Sequence, residues 1–531
     1  LNKITQYLNQ HIVGNVYDKP SILEVYSTDR SILKVTPKFV ALPETTSDVR
    51  KLMRFINQLA ARNYKLPVAV RGSGLDKTGS DLSSGLVIST ERLNQIQEID
   101  VRDRLVRVQA GVTLGQLNSA LALHGLTLPI KADHRETIGG LISTCATDPY
   151  SYKYGGIVNY VNRAEIVLPN GDCLQTTHLS KRALNRKKSL TTSEGIIYRD
   201  LDNLLTDYAD VVSRIPTPNF NLAGYPKIAG VRRQKPATFD LLPLFFGAQG
   251  TLGIITEVIL ECAILPPPPK RLIASFGSIR TVIDFMNLAR FLNPAELTLY
   301  DTTIFIAAEK HGKRPELLTR KLDDDGYTAF VSFNDSPRKS ARKVKKCVEA
   351  LPKNANPIVE TKDNALAFSD FEGAISTYLN DDAKGERVPI LDDFYIPSSE
   401  FLTFFEGLKE LEKTHKTSLP IFGSYATGVY SVRPDVLLDT LEGRQFAFQL
   451  LRDFNQLLKN NHGVITGGAP EGRIKALLTN PTFTIRERKL YQSIKSLFDP
   501  NNILGSETKL GADPRSTIRN LRVATGNYIV I

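Results

Sequence analysis

The sequence predicts an α+β fold in a larger N-terminal unit and a smaller second unit. Three observations carry that expectation. Helix-then-strand units with short strands fill the first half of the chain. Pro266 to Pro269 are four consecutive prolines, which can continue neither a helix nor a ladder and so mark a boundary. Beyond them the order strand, helix, strand, strand, helix, strand is that of a split β-α-β sandwich. At 531 residues the chain is also too long for one ordinary core.

From Thr45 onward, Val49, Leu52, Ile56 and Leu59 recur at helical spacing, and the apolar run Val68 to Val70 follows as a strand. Leu86-Val87-Ile88 reads as a second strand. Val106, Val108 and Ala110 alternate like a half-buried strand. Thr113-x-x-Gln116 then makes a capping box ahead of Leu114, Leu117 and Leu121, with Gly125 as the stop. Ile166 to Leu168 enters a hairpin at Pro169 to Asp172, and Gly250 to Val258 reads as another strand. In the second unit the expected strands are Leu272 to Phe276, Leu297 to Tyr300, Thr328 to Phe333 and Ile358 to Glu360, with helices over Ile279 to Leu292 and Lys339 to Leu351.

The longest apolar runs are far shorter than the roughly 20 residues a membrane span requires, so no transmembrane helix is expected. Cys145, Cys173, Cys262 and Cys347 are scattered without a metal or disulfide spacing, which fits a reducing, cytoplasmic setting. Lys and Arg number 67 against 56 Asp and Glu, for a net charge of +11. The excess clusters at Lys181 to Lys188 and at Arg338 to Lys346. A solvated helix face is the favoured reading of the second cluster. Peripheral contact with an anionic membrane surface stays open, and no nucleic-acid partner is expected.

The most informative segment is Arg71-Gly-Ser-Gly-Leu-Asp-Lys-Thr-Gly79, which follows the strand at Val68 to Val70. Gly72 and Gly74 admit positive φ, so successive N–H groups can converge into an anion-binding nest with Arg71 beside it; a diphosphate is the natural guest. A nicotinamide-type fingerprint needs a third glycine where Lys77 stands and a helix directly after, whereas a second strand follows here. The loop therefore points to a phosphorylated cofactor bound by another architecture.

Three further glycine-bearing segments accompany it: Thr137-Ile138-Gly139-Gly140, Ser151 to Gly156, and Phe246 to Glu257. In order and spacing the four resemble the FAD-binding domain of the vanillyl-alcohol oxidase and p-cresol methylhydroxylase superfamily, over about residues 36 to 265. Tyr26 to Leu33, Asn221 to Tyr225 and Phe498-Asp499-Pro500 are similar to segments of its FAD-linked D-lactate dehydrogenase and glycolate-oxidase subunit branch. The resemblance implies a two-subdomain FAD-binding domain over 1–265, a ferredoxin-like α+β substrate or cap domain over 270–470, and a C-terminal segment, 471–531, returning to the FAD domain. It implies that Arg71, Gly72, Ser73, Gly74, Leu75, Thr78 and Gly79, with Thr137, Ile138, Gly139 and Gly140, hold the FAD diphosphate. Ser151 and Gly155 would approach the flavin, and Gly253, Ile254 and Ile255 the adenosine end. Many superfamily members attach FAD through a histidine where this chain has Leu75, so non-covalent FAD is expected; Cys145, near the same motif, reads as a small buried thiol, with a second type of flavin link as the alternative.

The chemistry positions depart from that branch. Its metal ligands and base come from a Gly-His-x-Gly-Asp-Gly-Asn-x-His segment and a Glu-His-Gly segment. Here Gly423 to Pro434 keeps the frame with Ser424, Thr427 and Ser431 in place of the histidines and aspartate, and Gly468-Ala469 replace Glu-His. Serine is a poor ligand and glycine none, so no metal is expected. Gly505 stands in place of a C-terminal asparagine. Tyr430, Arg433 and Arg473 are the catalytic candidates, arginine for a carboxylate and tyrosine for a hydroxyl proton, with Tyr425, Glu471, His462 and Asp392-Asp393 as weaker ones.

The resemblance implies an FAD-dependent oxidoreductase passing hydride from a hydroxyl-bearing carbon to flavin N5, with D-lactate or glycolate as the family substrates. The alternatives are a sugar or aldonolactone substrate, or a catalytically degenerate flavin-binding scaffold. The electron acceptor leaves no local signature.

Overall fold

The computed structural model describes residues 3–235, 237–310, 317, 326–353, 355–380 and 388–522. Strands β1 (Asn15–Tyr17), β2 (Phe39–Leu42), β3 (Val68–Arg71) and β4 (Leu86–Ser89) form a sheet of order β1-β2-β4-β3, in which β2 and β3 run parallel to β4. Parallel strands are covered on both faces, and Phe39–Leu42 and Leu86–Ser89 are buried throughout. Helix Thr46–Ala61 covers this sheet with Val49, Leu52, Met53 and Ile56, and a Thr45–Asp48 capping box starts it. Residues 503 to 505 return beside β3: Val68 N–H donates to the Ile503 carbonyl at 2.7 Å, and Gly505 N–H to the Val68 carbonyl at 2.8 Å.

A second sheet takes β5 (Ile96–Asp100), β6 (Leu105–Gln109), β7 (Val161–Val167), β8 (Cys173–Gln175) and β9 (Ile254–Glu261) in the antiparallel order β5-β6-β9-β7-β8. The Thr113–Gln116 capping box forms as the sequence predicts and opens helix Leu114–Ala122, whose Leu114, Leu117 and Leu121 are buried. Each such leucine contributes roughly 1.5–3 kcal/mol through burial. Helix Ile485–Phe498 adds Leu490, Tyr491, Ile494 and Phe498 to this same core. Strand β9 begins four residues later than the sequence pattern suggests. Gln249 (φ +51°) and Gly250 (φ +69°) are left-handed, which breaks the ladder and turns 249–253 into a loop.

Beyond the prolines, β10 (Lys270–Phe276), β11 (Glu296–Asp301), β12 (Tyr327–Phe333) and β13 (Ile358–Val359) pair antiparallel in the order β13-β10-β12-β11, the strand order of a ferredoxin-like unit. Strands β14 (Leu391–Tyr395), β15 (Ile421–Ser424) and β16 (Val429–Val432) extend it beside β11 to seven strands, order β11-β15-β16-β14. Helix Pro337–Glu349 buries Ser340, Val344 and Cys347 and turns Arg338, Lys339, Arg342, Lys345 and Lys346 outward. That basic run is a solvated face. Among the described residues no helix is long and apolar enough to cross a membrane.

Candidate functional site

The chain leaves β3 at Arg71 and runs without regular structure to Ser80. Gly74 (φ +71°) and Gly79 (φ +77°) take left-handed conformations that only glycine adopts cheaply. The Asp76 carboxylate accepts from the N–H groups of Thr78 and Ser80 at 3.2 and 2.7 Å and from both hydroxyls at 2.9 and 3.0 Å. The second half of the loop is thus held by its own side chain. The N–H groups of residues 73 to 77 have no acceptor among the described residues. Five main-chain donors are left on one wall of a cavity of about 310 Å³.

The other walls come from residues 130–149, 249–255, Asp393 and Gly468-Ala469. Of the residues singled out by sequence, Gly72, Ser73, Gly74, Leu75, Thr78, Thr137, Gly139, Gly140, Gly253 and Ile255 line the cavity. Close approach explains two of the glycines. A Cβ on Gly72 would stand 2.3 Å from Thr137 Oγ1, and one on Gly139 2.8 Å from the Ala110 Cβ. Thr137 caps helix Ile138–Thr144 by accepting from Gly140 N–H at 3.2 Å.

Arg71, Gly79, Ile138, Ser151, Gly155 and Ile254 stand behind the lining. The Arg71 guanidinium lies under Gly74, where an added Cβ would meet it at 2.2 Å, and donates to the Thr28 carbonyl at 2.8 Å. It lies 3.8 Å from Asp81. Asp81 approaches Asp29, and burial pushes both carboxyls up; the charges of Asp81 and Asp76 add to this at Asp29, whereas Arg71 pulls Asp81 down. Gly79 packs against Leu33, and Ile138 and Ile254 belong to cores. Ser151 donates to Asp148 at 2.7 Å, and Gly155 ends the short helix Ser151–Tyr154.

Tyr430, Arg433 and Arg473 do not line the cavity. The Tyr430 hydroxyl is buried without a hydrogen-bond partner, and its ring lies 4.8 Å from that of Phe401. Arg433 grips Asp392 with two bonds of 2.6 Å. Arg473 donates to Glu507 at 2.5 Å and to the Leu82 carbonyl. Tyr425 donates to Asn287, Glu471 pairs with Lys509 at 3.1 Å, and His462 is exposed outside the cavity. Burial pushes the Cys145 thiol up to about 11, as for an inert core cysteine.

The ionisable groups on the cavity wall are mostly ones the sequence patterns did not pick out. Lys77 Nζ lies 3.0 Å from an oxygen of Asp392 and 3.0 Å from one of Asp393. Burial favours its neutral amine, but the two carboxylates outweigh that and keep it charged. Burial, then Asp133, push the Glu136 carboxyl up to about 7, against the pull of Lys77. Lys131 is held by Glu372 at 3.1 Å and Glu296 at 3.8 Å. The one signal for Glu136 was its place directly before the Thr137 motif; Lys77 was visible only as a missing glycine.

Family models for an FAD binding domain and for the C-terminal domain of FAD linked oxidases match residues 37–177 and 265–507. The chain is 24% identical to a D-2-hydroxyglutarate dehydrogenase of Haemophilus influenzae, with 94% of this chain and 50% of that protein covered. It therefore spans about half the length of the hydroxyglutarate dehydrogenases it matches. It is 24% identical to the Bacillus subtilis glycolate oxidase subunit GlcD over 93% of both chains, and to an Archaeoglobus fulgidus D-lactate dehydrogenase over 91% of this chain and 94% of that one. In fold it is similar to p-cresol methylhydroxylase with substrate bound: TM-score 0.66, 15% identity and 97% of both chains covered.

Proposed function

Because the chain belongs to the FAD-linked oxidases, with FAD as its cofactor, we propose that it oxidises the hydroxyl-bearing carbon of a D-2-hydroxy acid of the lactate, glycolate or hydroxyglutarate type. The observation that carries this reading is one cavity holding both halves of the requirement: five unpaired main-chain donors on one wall, and the ionisable pair Lys77 and Glu136 beside Gly468-Ala469.

The residues fit the cofactor. N–H groups 73 to 77 match a diphosphate's need for several convergent donors, and Asp76 is turned back onto Thr78 and Ser80. Leu75 stands where the resembled enzymes carry a linking histidine, and among the described residues no histidine, cysteine or tyrosine lines the cavity, which favours dissociable FAD. When bound, FAD supplies the two-electron acceptor. The rest of the work falls to side chains of this chain. Glu136, with a carboxyl near neutrality, takes the hydroxyl proton at its carboxylate oxygen as the carbon–hydrogen bond breaks. Ser424, Ser431, Gly468 and Ala469 offer no metal-ligand set, so this reading uses none. Arg433 and Arg473 hold the walls by their bonds to Asp392, Glu507 and the Leu82 carbonyl.

The test is anaerobic reduction of the FAD-loaded protein, followed by the loss of flavin absorbance at about 450 nm. The panel is D- and L-lactate, glycolate, D-2-hydroxyglutarate, sugars and aldonolactones. Bleaching by D-2-hydroxy acids is expected. Bleaching by sugars or lactones alone would move the substrate class, and no bleaching by any member would leave a flavin-binding scaffold. Acid precipitation should release the flavin into the supernatant; yellow colour retained in the pellet would reveal a covalent link.

A further inference from the structure

We propose that Lys77 is the cation that receives the substrate carboxylate, an inference that rests on the hydroxy-acid reading above. A 2-hydroxy acid needs a positive group inside the cavity, and arginine is the usual choice for a carboxylate. Both candidate arginines are committed elsewhere: Arg433 to Asp392 by two bonds, and Arg473 to Glu507 and the Leu82 carbonyl. Neither lines the cavity. Among the described residues, the cations that do are Lys77 and Lys131.

Charge separates the two lysines. Lys131 faces Glu372 and Glu296, so its neighbourhood already carries more negative charge than positive. Around Lys77 the acids are shared with further cations. Lys77, Arg433 and Lys475 meet Asp392 and Asp393, three cations against two carboxylates. Lys475 Nζ donates to the Asp392 carbonyl at 2.6 Å; burial pulls it down to about 8, so it is still mostly charged at neutral pH. Asp76 keeps its charge while it accepts from Thr78 and Ser80, and Glu136, held near 7, is partly ionised at neutral pH. The cations therefore do not outnumber the acids; what singles out Lys77 is that, of the three, it lines the cavity.

Geometry favours Lys77 as the receiving group. Asp392 is already met by both arms of Arg433, so it does not depend on the lysine. An ammonium has three N–H groups, and the carboxylates of Asp392 and Asp393 account for two. Asp393 N–H donates to Ser431 Oγ at 3.0 Å, and Gly468 N–H donates to the Asp393 carbonyl at 2.7 Å. The ammonium therefore stands beside two of the positions whose side chains are too poor to hold a metal. A fixed positive charge serves a carboxylate there without one.

Oxalate, an unreactive dicarboxylate, is the probe, titrated into FAD-loaded protein and followed by the change in the flavin spectrum. Lys77→Met should keep its flavin and weaken oxalate binding by about tenfold or more, whereas Lys77→Arg should keep most of it. Lys131→Met should bind oxalate as the unaltered protein does. Should Lys77→Met fold poorly through its unpaired aspartate, Lys77→Met/Asp393→Asn removes both charges and should show the same loss. Unchanged oxalate binding in either Met variant would overturn the proposal, as would loss in Lys131→Met or abolition of binding by EDTA. The two readings fail separately. Oxalate binding that depends on Lys77, with no hydroxy acid bleaching the flavin, retains the anion site and rejects the substrate class. Hydroxy acids reducing Lys77→Met with an unchanged KM reject the role of Lys77 alone.

Discussion

Replacing Glu136 by glutamine tests the electrostatics of the cavity directly. Its carboxyl rises from an ordinary 4.5 to about 7 on folding. At 1.36 kcal/mol per pH unit, that difference amounts to about 3 kcal/mol. The residue is half-buried on the cavity wall, so about 2 kcal/mol is the working figure. The folded protein binds this proton more tightly than the unfolded chain does. Its contribution is therefore fully present below 4.5, is lost as pH rises toward 7, and is constant above. Glu136→Gln removes that slope. Scanning calorimetry of the unaltered protein and of Glu136→Gln from pH 5 to 8 should show the variant gaining on it by roughly 2 °C at the alkaline end, at about 1 °C per kcal/mol for a chain of this length. Parallel pH profiles would refute the assigned environment. If Glu136 is also the proton acceptor, kcat/KM should rise with an apparent pKa near 7 in the unaltered protein, and Glu136→Gln should lose that limb.

Three other substitutions check separate parts of the site. Gly72→Ala drives a methyl against Thr137 Oγ1, now 2.3 Å from that point, and should lower FAD content, read as the ratio of flavin to protein absorbance, while costing about 1–3 kcal/mol. Tyr430→Phe removes a buried hydroxyl without a partner, so stability should hold or rise by about 1 kcal/mol and flavin reduction should persist; a large rate loss would return Tyr430 to the chemistry. Asp392→Asn leaves Arg433 and Lys77 short of their counter-charge and should cost about 3–5 kcal/mol by thermal unfolding.

Local patterns in the sequence carried local structure well. The capping box at Thr113 and Gln116 and the apolar spacing from Val49 to Ile56 are each decided within a few residues, and each produces the helix it predicts. The start of β9 was misplaced because Gly250 looks the same in a strand as in a left-handed turn until its φ is known. Three of the four glycine-bearing segments reach the cavity wall, and they were legible because backbone at positive φ or in close approach favours glycine. The charged part of the cavity was not. Lys77 meets a carboxylate 316 residues away, and no local spacing encodes that pairing. Arg433 and Arg473 drew attention for their residue type and motif position, whereas their engagement with Asp392 and Glu507 appears only in three dimensions.

The return of residues 503 to 505 to β3 has a consequence for synthesis. Asn501 donates to Asn57 across 444 residues of chain, close to where Ile503 and Gly505 complete the edge of the strand that launches the glycine loop. At about 5–20 residues per second, a ribosome needs on the order of half a minute to a minute and a half to make that stretch. Throughout that interval the nascent loop has a supporting strand with one edge unpaired. The glycine loop is thus made well before the backbone that completes the edge of its supporting strand.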